Sequence, residues 1–268
     1  MTWFEALILG LIQGLTEFLP VSSSGHLEIG HAILGTATEE NLIFTVVLHV
    51  ATVLSTLLVL WHEVAQLFKG TFTTTKWNAE KDYVAKILVS CIPVFIVGMF
   101  FKEEVTALFD SIYVVAGALL LTAALLLLSD FSGKFLRNRT GSEARNGISW
   151  WQALIVGIGQ AIAVIPGLSR SGTTIATGLL CGVKRDVVAQ FSFLMVLVPI
   201  LGEAFLDIVG GDFAASTTGV APLIAGFCSA FLSGLVACRA MVALVKRTRL
   251  GWFALYCAVL ATAIFIFA

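Results

Sequence analysis

A cluster of polar residues near the start of the chain has the composition of a binding site. Gln13 and Glu17 lie four residues apart and therefore share one face of a helix, which Pro20 then ends. A turn rich in hydroxyl groups follows and contains Ser22, Ser23, Ser24, Gly25 and His26. The pattern predicts a short helix whose polar face leads directly into a Ser/Gly turn with a histidine.

A second motif carries the strongest chemical signal in the chain. It reads PGLSRSGTT and contains Pro166, Gly167, Ser169, Arg170, Ser171, Gly172, Thr173 and Thr174. Glycines let backbone N–H groups close around an anion, and hydroxyl groups donate further hydrogen bonds. The guanidinium of Arg170 can bind phosphate oxygens in a bidentate way. The motif predicts a turn that binds phosphate.

The chain around these motifs has the composition of a membrane protein. Of its 268 residues, 58% are hydrophobic and 12% are charged, against roughly a quarter charged in a soluble domain. Charge-free runs such as 41–61 and 213–238 approach the ~20 residues that cross a bilayer as a helix. The net charge of −1 gives no indication of nucleic acid binding, and the five cysteines form no CxxC pair.

The positions of the basic residues predict the topology. Thirteen of the 16 Lys and Arg residues fall in the four segments 69–86, 134–145, 184–185 and 246–249. Under the positive-inside rule these segments are cytoplasmic, and the loops around 102–110 and 210–218 are external. The expected crossings are 42–61, 84–101, 112–128, 188–209, 219–240 and 251–267. Both termini are then expected outside.

Two further apolar stretches, 2–40 and 149–183, must each begin and end on the same side of the membrane. We therefore expect each to form a re-entrant helix pair, the first entering from outside and the second from inside. Broken helices at membrane depth are tolerated where they line a polar cavity or are buried in protein. The two pairs are expected to meet at one site.

An internal repeat relates the two pairs. Residues 3–26 align without a gap to residues 150–173, and nine positions are identical, including Gln13/Gln160, Ser22/Ser169 and Gly25/Gly172. Each half holds one re-entrant pair and three crossings, so the halves have opposite orientations. The expected fold is an all-α polytopic membrane protein with an inverted-topology repeat, six transmembrane helices and two re-entrant helix pairs. The single domain 1–268 comprises repeats of about 1–128 and 149–268, joined by a cytoplasmic loop, 129–148.

These motifs resemble those of a known family, the undecaprenyl-diphosphate phosphatases of bacterial inner membranes. That family carries an (E/Q)xxxE motif leading into a Ser-rich turn with a His, and a second PGxSRSxxT motif. Here they read QGLTE at 13–17, PVSSSGH at 20–26 and PGLSRSGTT at 166–174. The resemblance covers essentially the whole chain. It implies hydrolysis of undecaprenyl diphosphate to the monophosphate and inorganic phosphate, which regenerates the lipid carrier for cell-wall synthesis.

The resemblance and the chemistry of the motifs together assign roles. The expected catalytic residues are Glu17, Ser23, His26 and Arg170. The expected substrate-binding residues are Gln13, Ser22, Ser24, Gly25, Gly167, Ser169, Ser171, Gly172 and Thr174. Glu17 is also the candidate ligand of a divalent cation, Mg²⁺ or Ca²⁺, although Gln13 stands where better-known members have a second carboxylate. The expected partners are undecaprenyl diphosphate, membrane lipid and, as a candidate, a second copy of the chain in a homodimer.

Two questions stay open on the sequence alone. Ser23 could attack phosphorus with His26 as its base, which we favour, or His26 itself or a water molecule could attack. The same inverted repeat is also typical of secondary transporters and would suit a prenyl-phosphate flippase. Arg170 and the Ser/His turn favour phosphoryl chemistry. His49, in the middle of a crossing, is expected to form an interhelical hydrogen bond.

Overall fold

The computed structural model describes residues 1–36, 42–108, 111–136, 145–210, 218–247 and 249–267. These residues form helices and connecting turns, with no strand among them, so the predicted all-helical class is confirmed. Within the predicted loop 129–148, residues 129–136 continue a helix, and 137–144 lie outside the described residues.

Twelve α-helices are described. In the first half they are α1 (Trp3–Thr16), α2 (Ser23–Leu34), α3 (Leu42–Val59), α4 (Trp61–Phe72), α5 (Ala79–Phe100), α6 (Lys102–Ala107) and α7 (Ile112–Leu136). After a 3₁₀ turn, Arg145–Gly147, the second half contains α8 (Trp150–Ile162), α9 (Arg170–Leu180), α10 (Arg185–Gly210), α11 (Val220–Arg247) and α12 (Gly251–Phe267).

Four of the described helices, α5, α7, α10 and α11, are long and apolar enough to cross a membrane. A fifth candidate is the pair α3 and α4, which bends by 79° at a short break. The helix α12 fills the last predicted crossing but has 17 residues, slightly fewer than a typical span. The chain is therefore a multi-pass membrane protein, and the count of six crossings stays a prediction.

Two pairs of shorter helices occupy the stretches that were expected to be re-entrant. Helices α1 and α2 have 14 and 12 residues, and α8 and α9 have 13 and 11. Each pair begins with the same local structure, a capping box formed by Thr2 with Glu5 in one and by Ser149 with Gln152 in the other. Each pair then breaks at its polar turn.

Close helix contacts fix the position of both pairs. Helix α1 packs against α11, and α8 packs against α5. Glycine makes each approach possible, because a Cβ on Gly10 would meet the carbonyl oxygen of Gly226, and one on Gly157 would meet that of Ser90. The short helices of each half are thus held against a long helix of the other half, with their polar turns inside the protein.

Candidate active site

The buried carboxylate of Glu17 collects hydrogen bonds from its own half of the chain. Glu17 caps the end of α1, and 9% of its side chain is exposed. Its Oε2 accepts a hydrogen bond from Gln13 Nε2 at 3.0 Å and another from Ser23 Oγ at 2.5 Å. The predicted proximity of Gln13 and Glu17 on one helix face is confirmed, and Ser23 is oriented directly by the carboxylate.

The turn that presents Ser23 has an unusual backbone. Ser22 has φ of 70° and ψ of 98°, a conformation that residues other than glycine rarely adopt. It caps α2, and its Oγ accepts a hydrogen bond from Gly25 N at 3.2 Å and lies 3.3 Å from Ser24 Oγ. This sharp bend makes Ser23 the first residue of α2 and places it next to Glu17.

The second turn is built in the same way. Ser169 caps α9, accepts a hydrogen bond from Gly172 N at 3.1 Å, and has its Oγ 3.3 Å from Ser171 Oγ. Arg170 is the first residue of α9, the position that Ser23 holds in α2. The serine and glycine positions shared by the two motifs therefore make equivalent hydrogen bonds.

The two turns touch each other. Gly167 N donates to Ser24 Oγ at 3.4 Å, and Ser171 Oγ donates to the carbonyl oxygen of Leu19 at 3.1 Å. Across this contact, Arg170 Nη2 donates to Glu17 Oε1 at 3.2 Å. Residues from the two halves of the chain therefore form one polar centre, as the repeat predicts.

His49 joins this centre from α3. Its Nε2 lies 3.2 Å from Arg170 Nη2 and 3.9 Å from Glu17 Oε2. A guanidinium only donates, so His49 Nε2 accepts this hydrogen bond, and its ring proton sits on Nδ1 when it is neutral. The interhelical hydrogen bond expected for His49 is present, but its contact with the two charged residues was missed. An ionisable side chain in the middle of an apolar span was the available signal.

His26 points away from Ser23. Its Nδ1 lies 2.7 Å from the carbonyl oxygen of Ser22, to which it must donate. Its Nε2 lies 2.7 Å from the hydroxyl of Tyr256 on α12, and the two rings stack with their centroids 5.7 Å apart. The proton acceptor that contacts Ser23 is Glu17, which differs from the predicted Ser23–His26 pair. The bond back to Ser22 turns the imidazole toward α12.

Thr174 lies one turn into α9. Its hydroxyl is 2.8 Å from the carbonyl oxygen of Arg170 and 2.5 Å from Ser192 Oγ on α10. These contacts tie the start of α9 to α10. Thr174 therefore supports Arg170 in this conformation. It also lines the cavity next to Arg170, and its predicted contact with substrate stays a prediction.

A cavity adjoins the polar centre. It contains about 420 Å³ of empty space, including its opening, and Glu17, Arg170 and Gln160 contribute to its wall. The wall also includes hydroxyl groups of α3, α9 and α10 and the apolar side chains of Phe193, Val196 and Ile200. A charged group could therefore bind beside Arg170 with apolar surface close by.

The residues around Glu17 do not form a metal site on their own. Within the described part of the chain, no three His, Cys, Asp or Glu side chains converge as metal ligands. Glu17 offers one carboxylate, and a guanidinium lies 3.2 Å from it. Such a carboxylate fits Mg²⁺ only where phosphate oxygens of a substrate complete the ligand set.

A buried carboxylate, a guanidinium and two hydroxyl-rich turns within apolar helices define a multi-pass membrane protein with an internal polar centre, a candidate anion-binding site. The chain belongs to the family described as "Bacitracin resistance protein BacA", whose model matches residues 6–263.

Curated relatives cover nearly the whole chain. It is 53% identical over 262 residues to a protein of Bacteroides fragilis named undecaprenyl-diphosphatase, which spans 97% of this chain and 96% of the relative. A Bacteroides thetaiotaomicron protein of the same name is 51% identical and covers 99% of both chains. The undecaprenyl-diphosphatase 1 of Shouchella clausii is 35% identical over 100% of this chain and 97% of its own.

Proposed function

We propose that this chain hydrolyses undecaprenyl diphosphate to undecaprenyl phosphate and inorganic phosphate in the bacterial inner membrane. Family membership over residues 6–263 and relatives at about 50% identity support this reaction. The observation that carries the proposal is the contact of Glu17 with both Ser23 and Arg170 across the two turns. The reaction returns the lipid carrier to cell-wall synthesis.

The hydrogen bond of Ser23 supports a role as nucleophile. Its hydroxyl donates to Glu17 at 2.5 Å, so the carboxylate can take the proton as Ser23 Oγ bonds to the terminal phosphorus. The bond from that phosphorus to the bridging oxygen breaks, and undecaprenyl phosphate leaves. Water then attacks the phosphoserine, which releases inorganic phosphate and regenerates the serine.

Arg170 is suited to stabilise the transition state. Both described contacts of its side chain, with Glu17 and His49, use the Nη2 atom, whereas a guanidinium has five N–H donors. The remaining N–H groups of the guanidinium can donate to phosphate oxygens, on which negative charge develops during transfer. We infer that Glu17 and His49 hold Arg170 in place for this contact.

His26 stays a candidate catalytic residue with a different immediate role. Its contacts with Ser22 and Tyr256 support a function in holding the turn that carries Ser23. Attack by His26 Nε2 would require this atom to leave the hydroxyl of Tyr256. We therefore place His26 second to Ser23 as the nucleophile.

A divalent cation, Mg²⁺ or Ca²⁺, would bind to Glu17 together with the phosphate oxygens of the substrate. When bound, it would neutralise charge on those oxygens. If the reaction uses such an ion, a chelator lowers phosphate release by the purified protein, and added Mg²⁺ or Ca²⁺ restores it. Unchanged release after chelation would show that the residues of the chain suffice.

The packing of the short helices supports an inverted repeat with six crossings. Helix α1 of the first half lies on α11 of the second, and α8 of the second lies on α5 of the first, as a two-fold relation between the halves requires. We propose that both termini are external. Single cysteines replacing Lys76 and Glu104, at opposite ends of α5, should label from the cytoplasm and from outside, respectively. Labelling of both from one side would refute this topology.

The proposed reaction is tested by phosphate release from undecaprenyl diphosphate by detergent-purified protein. A secondary transporter or flippase releases none. Release that disappears in the Glu17→Ala variant supports hydrolysis at this site. Release that persists there would refute the assignment of Glu17.

A further inference from the structure

Gln160 on α8 is buried in an unusual way. About 1% of its surface is exposed, yet neither Nε2 nor Oε1 has a hydrogen-bond partner among the described residues. A buried amide without partners destabilises a protein, so native structures contain few such groups. Packing alone gives no reason for an amide here.

Comparison with Gln13 shows why the amide of Gln160 has no partner among the described residues. Gln13 occupies the equivalent position in the first half, is also fully buried, and donates from Nε2 to Glu17 at 3.0 Å. The residue equivalent to Glu17 in the second half is Val164, which cannot accept a hydrogen bond. The second half therefore has the amide without its acceptor.

Gln160 contributes to the wall of the cavity beside the polar centre, together with Glu17 and Arg170. The hydroxyl groups of Thr52 and Thr56 also line it, but each donates to a backbone carbonyl of its own helix, at 2.8 Å and 3.0 Å. These hydroxyls can only accept from a ligand. Among the residues of this wall, Gln160 thus has N–H groups that no described residue uses, and Arg170 contributes to the same wall.

A terminal phosphate group matches this arrangement. Near neutral pH it presents negatively charged oxygens, which accept hydrogen bonds, and for part of the time a P–OH group, which donates. An amide offers two N–H donors and a carbonyl acceptor side by side. It can therefore contact a P–O⁻ and a P–OH of the same group, whereas sulfate at this pH offers acceptors only.

We propose that Gln160 binds the terminal phosphate of the substrate, and the inorganic phosphate released from it, in the cavity next to Arg170. Nε2 donates to a phosphate oxygen, and Oε1 accepts from the P–OH. This assignment rests on the proposed diphosphate hydrolysis. It gives the second half a specificity residue besides Arg170.

The first test replaces Gln160 by Met, which has a similar shape without the amide. We expect KM for undecaprenyl diphosphate to rise about 10- to 100-fold, the loss of a hydrogen bond to a charged group. The melting temperature of the protein without substrate should stay the same or rise, because two unsatisfied polar atoms are removed. A Gln160→Glu variant keeps the size and should bind substrate still more weakly, since its charge repels phosphate.

A second glutamine on α8 provides a matched control. Gln152 completes the capping box of this helix and donates to the carbonyl oxygen of Cys181 at 2.9 Å. Gln152→Met should lower the melting temperature and leave KM unchanged. The two substitutions are thus expected to give opposite patterns. A Gln160→Met protein that melts earlier with unchanged KM would overturn the proposal.

Measurements with inorganic phosphate and sulfate test whether Gln160 binds free phosphate as well as the lipid-linked phosphate. Phosphate should raise the melting temperature of the wild type more than sulfate does, and Gln160→Met should lose this difference. If KM rises but the response to phosphate is unchanged, Gln160 binds the lipid-linked phosphate only, and the part of the proposal that concerns inorganic phosphate is wrong. If both KM and the phosphate response are unchanged, the proposal is wrong. If the wild type releases no phosphate from the lipid, the proposed function is wrong. The shift in melting temperature with inorganic phosphate then still shows whether Gln160 binds phosphate.

Discussion

The turn at 20–26 and the turn at 166–174 share a scaffold and differ in the side chains that it carries. In both, a serine caps the following helix by accepting from a glycine N–H three residues later, at 3.2 Å in one and 3.1 Å in the other. At the next position the first turn has Ser23 and the second has Arg170. The same backbone therefore presents a hydroxyl group from one half and a cation from the other.

This difference indicates a division of labour. The first half supplies the carboxylate and the hydroxyl that it orients, Glu17 and Ser23. The second half supplies Arg170 and the amide of Gln160, which has no hydrogen-bond partner among the described residues. Both are suited to hold an anion. Neither half contains a complete site. A substitution in the first half should therefore affect the chemical step, and one in the second half should also weaken binding.

The largest expected effect is that of Glu17→Ala, because Glu17 contacts Ser23 and Arg170 at once. We expect kcat to fall about 1000-fold, within the range for loss of a general base. Glu5→Ala is the matched control, since Glu5 is on the same helix and only caps its start. That variant should lose some stability and keep its kcat. Comparable losses in both variants would show that the effect comes from α1 and not from the carboxylate.

Arg170→Ala should lower kcat/KM about 100-fold or more, because a transition-state oxygen loses a charge-assisted hydrogen bond. Unlike Glu17→Ala, it should raise KM as well. Arg185→Ala serves as its control, since Arg185 pairs with Asp130 at 2.6 Å outside the polar centre. Near wild-type turnover by purified Arg170→Ala would refute the role of this residue.

His49→Leu should reduce kcat about 10-fold, because Arg170 loses a neighbour that accepts its hydrogen bond. Gln retains an acceptor on a side chain of similar length, so His49→Gln should recover most of the activity. Equal losses in the two variants would mean that His49 does not act through this hydrogen bond.

Tyr256→Phe is expected to have the smallest effect, about 5-fold on kcat, the cost of one neutral hydrogen bond. It removes the hydroxyl group that lies 2.7 Å from His26 Nε2 and keeps the stacked ring. Tyr113→Phe, on the neighbouring helix α7, controls for loss of an exposed phenol. A Tyr256→Phe loss as large as that of Glu17→Ala would make His26 a primary catalytic group.

Much of this site could be predicted from the sequence because the repeat marks it twice. Trp, Gln and Ser-x-Ser-Gly recur at one offset, which predicts two similar turns, and apolar runs predict the long helices. The partner of Ser23 could not be predicted, since it depends on the positive φ of Ser22. His49 is the one ionisable side chain of the apolar helix α3, and only the packing of α3 brings it to Arg170. Helix α4 was not expected, because an abrupt 79° bend separates it from α3.

The proposed mechanism depends most on the identity of the group that attacks phosphorus. Rapid quench with substrate labelled in its terminal phosphate, followed by peptide mapping, should recover an acid-stable phosphoserine at Ser23. The Ser23→Ala variant should form no adduct and release no phosphate. Acid-labile phosphate on His26, or continued turnover by Ser23→Ala, would contradict the proposed mechanism.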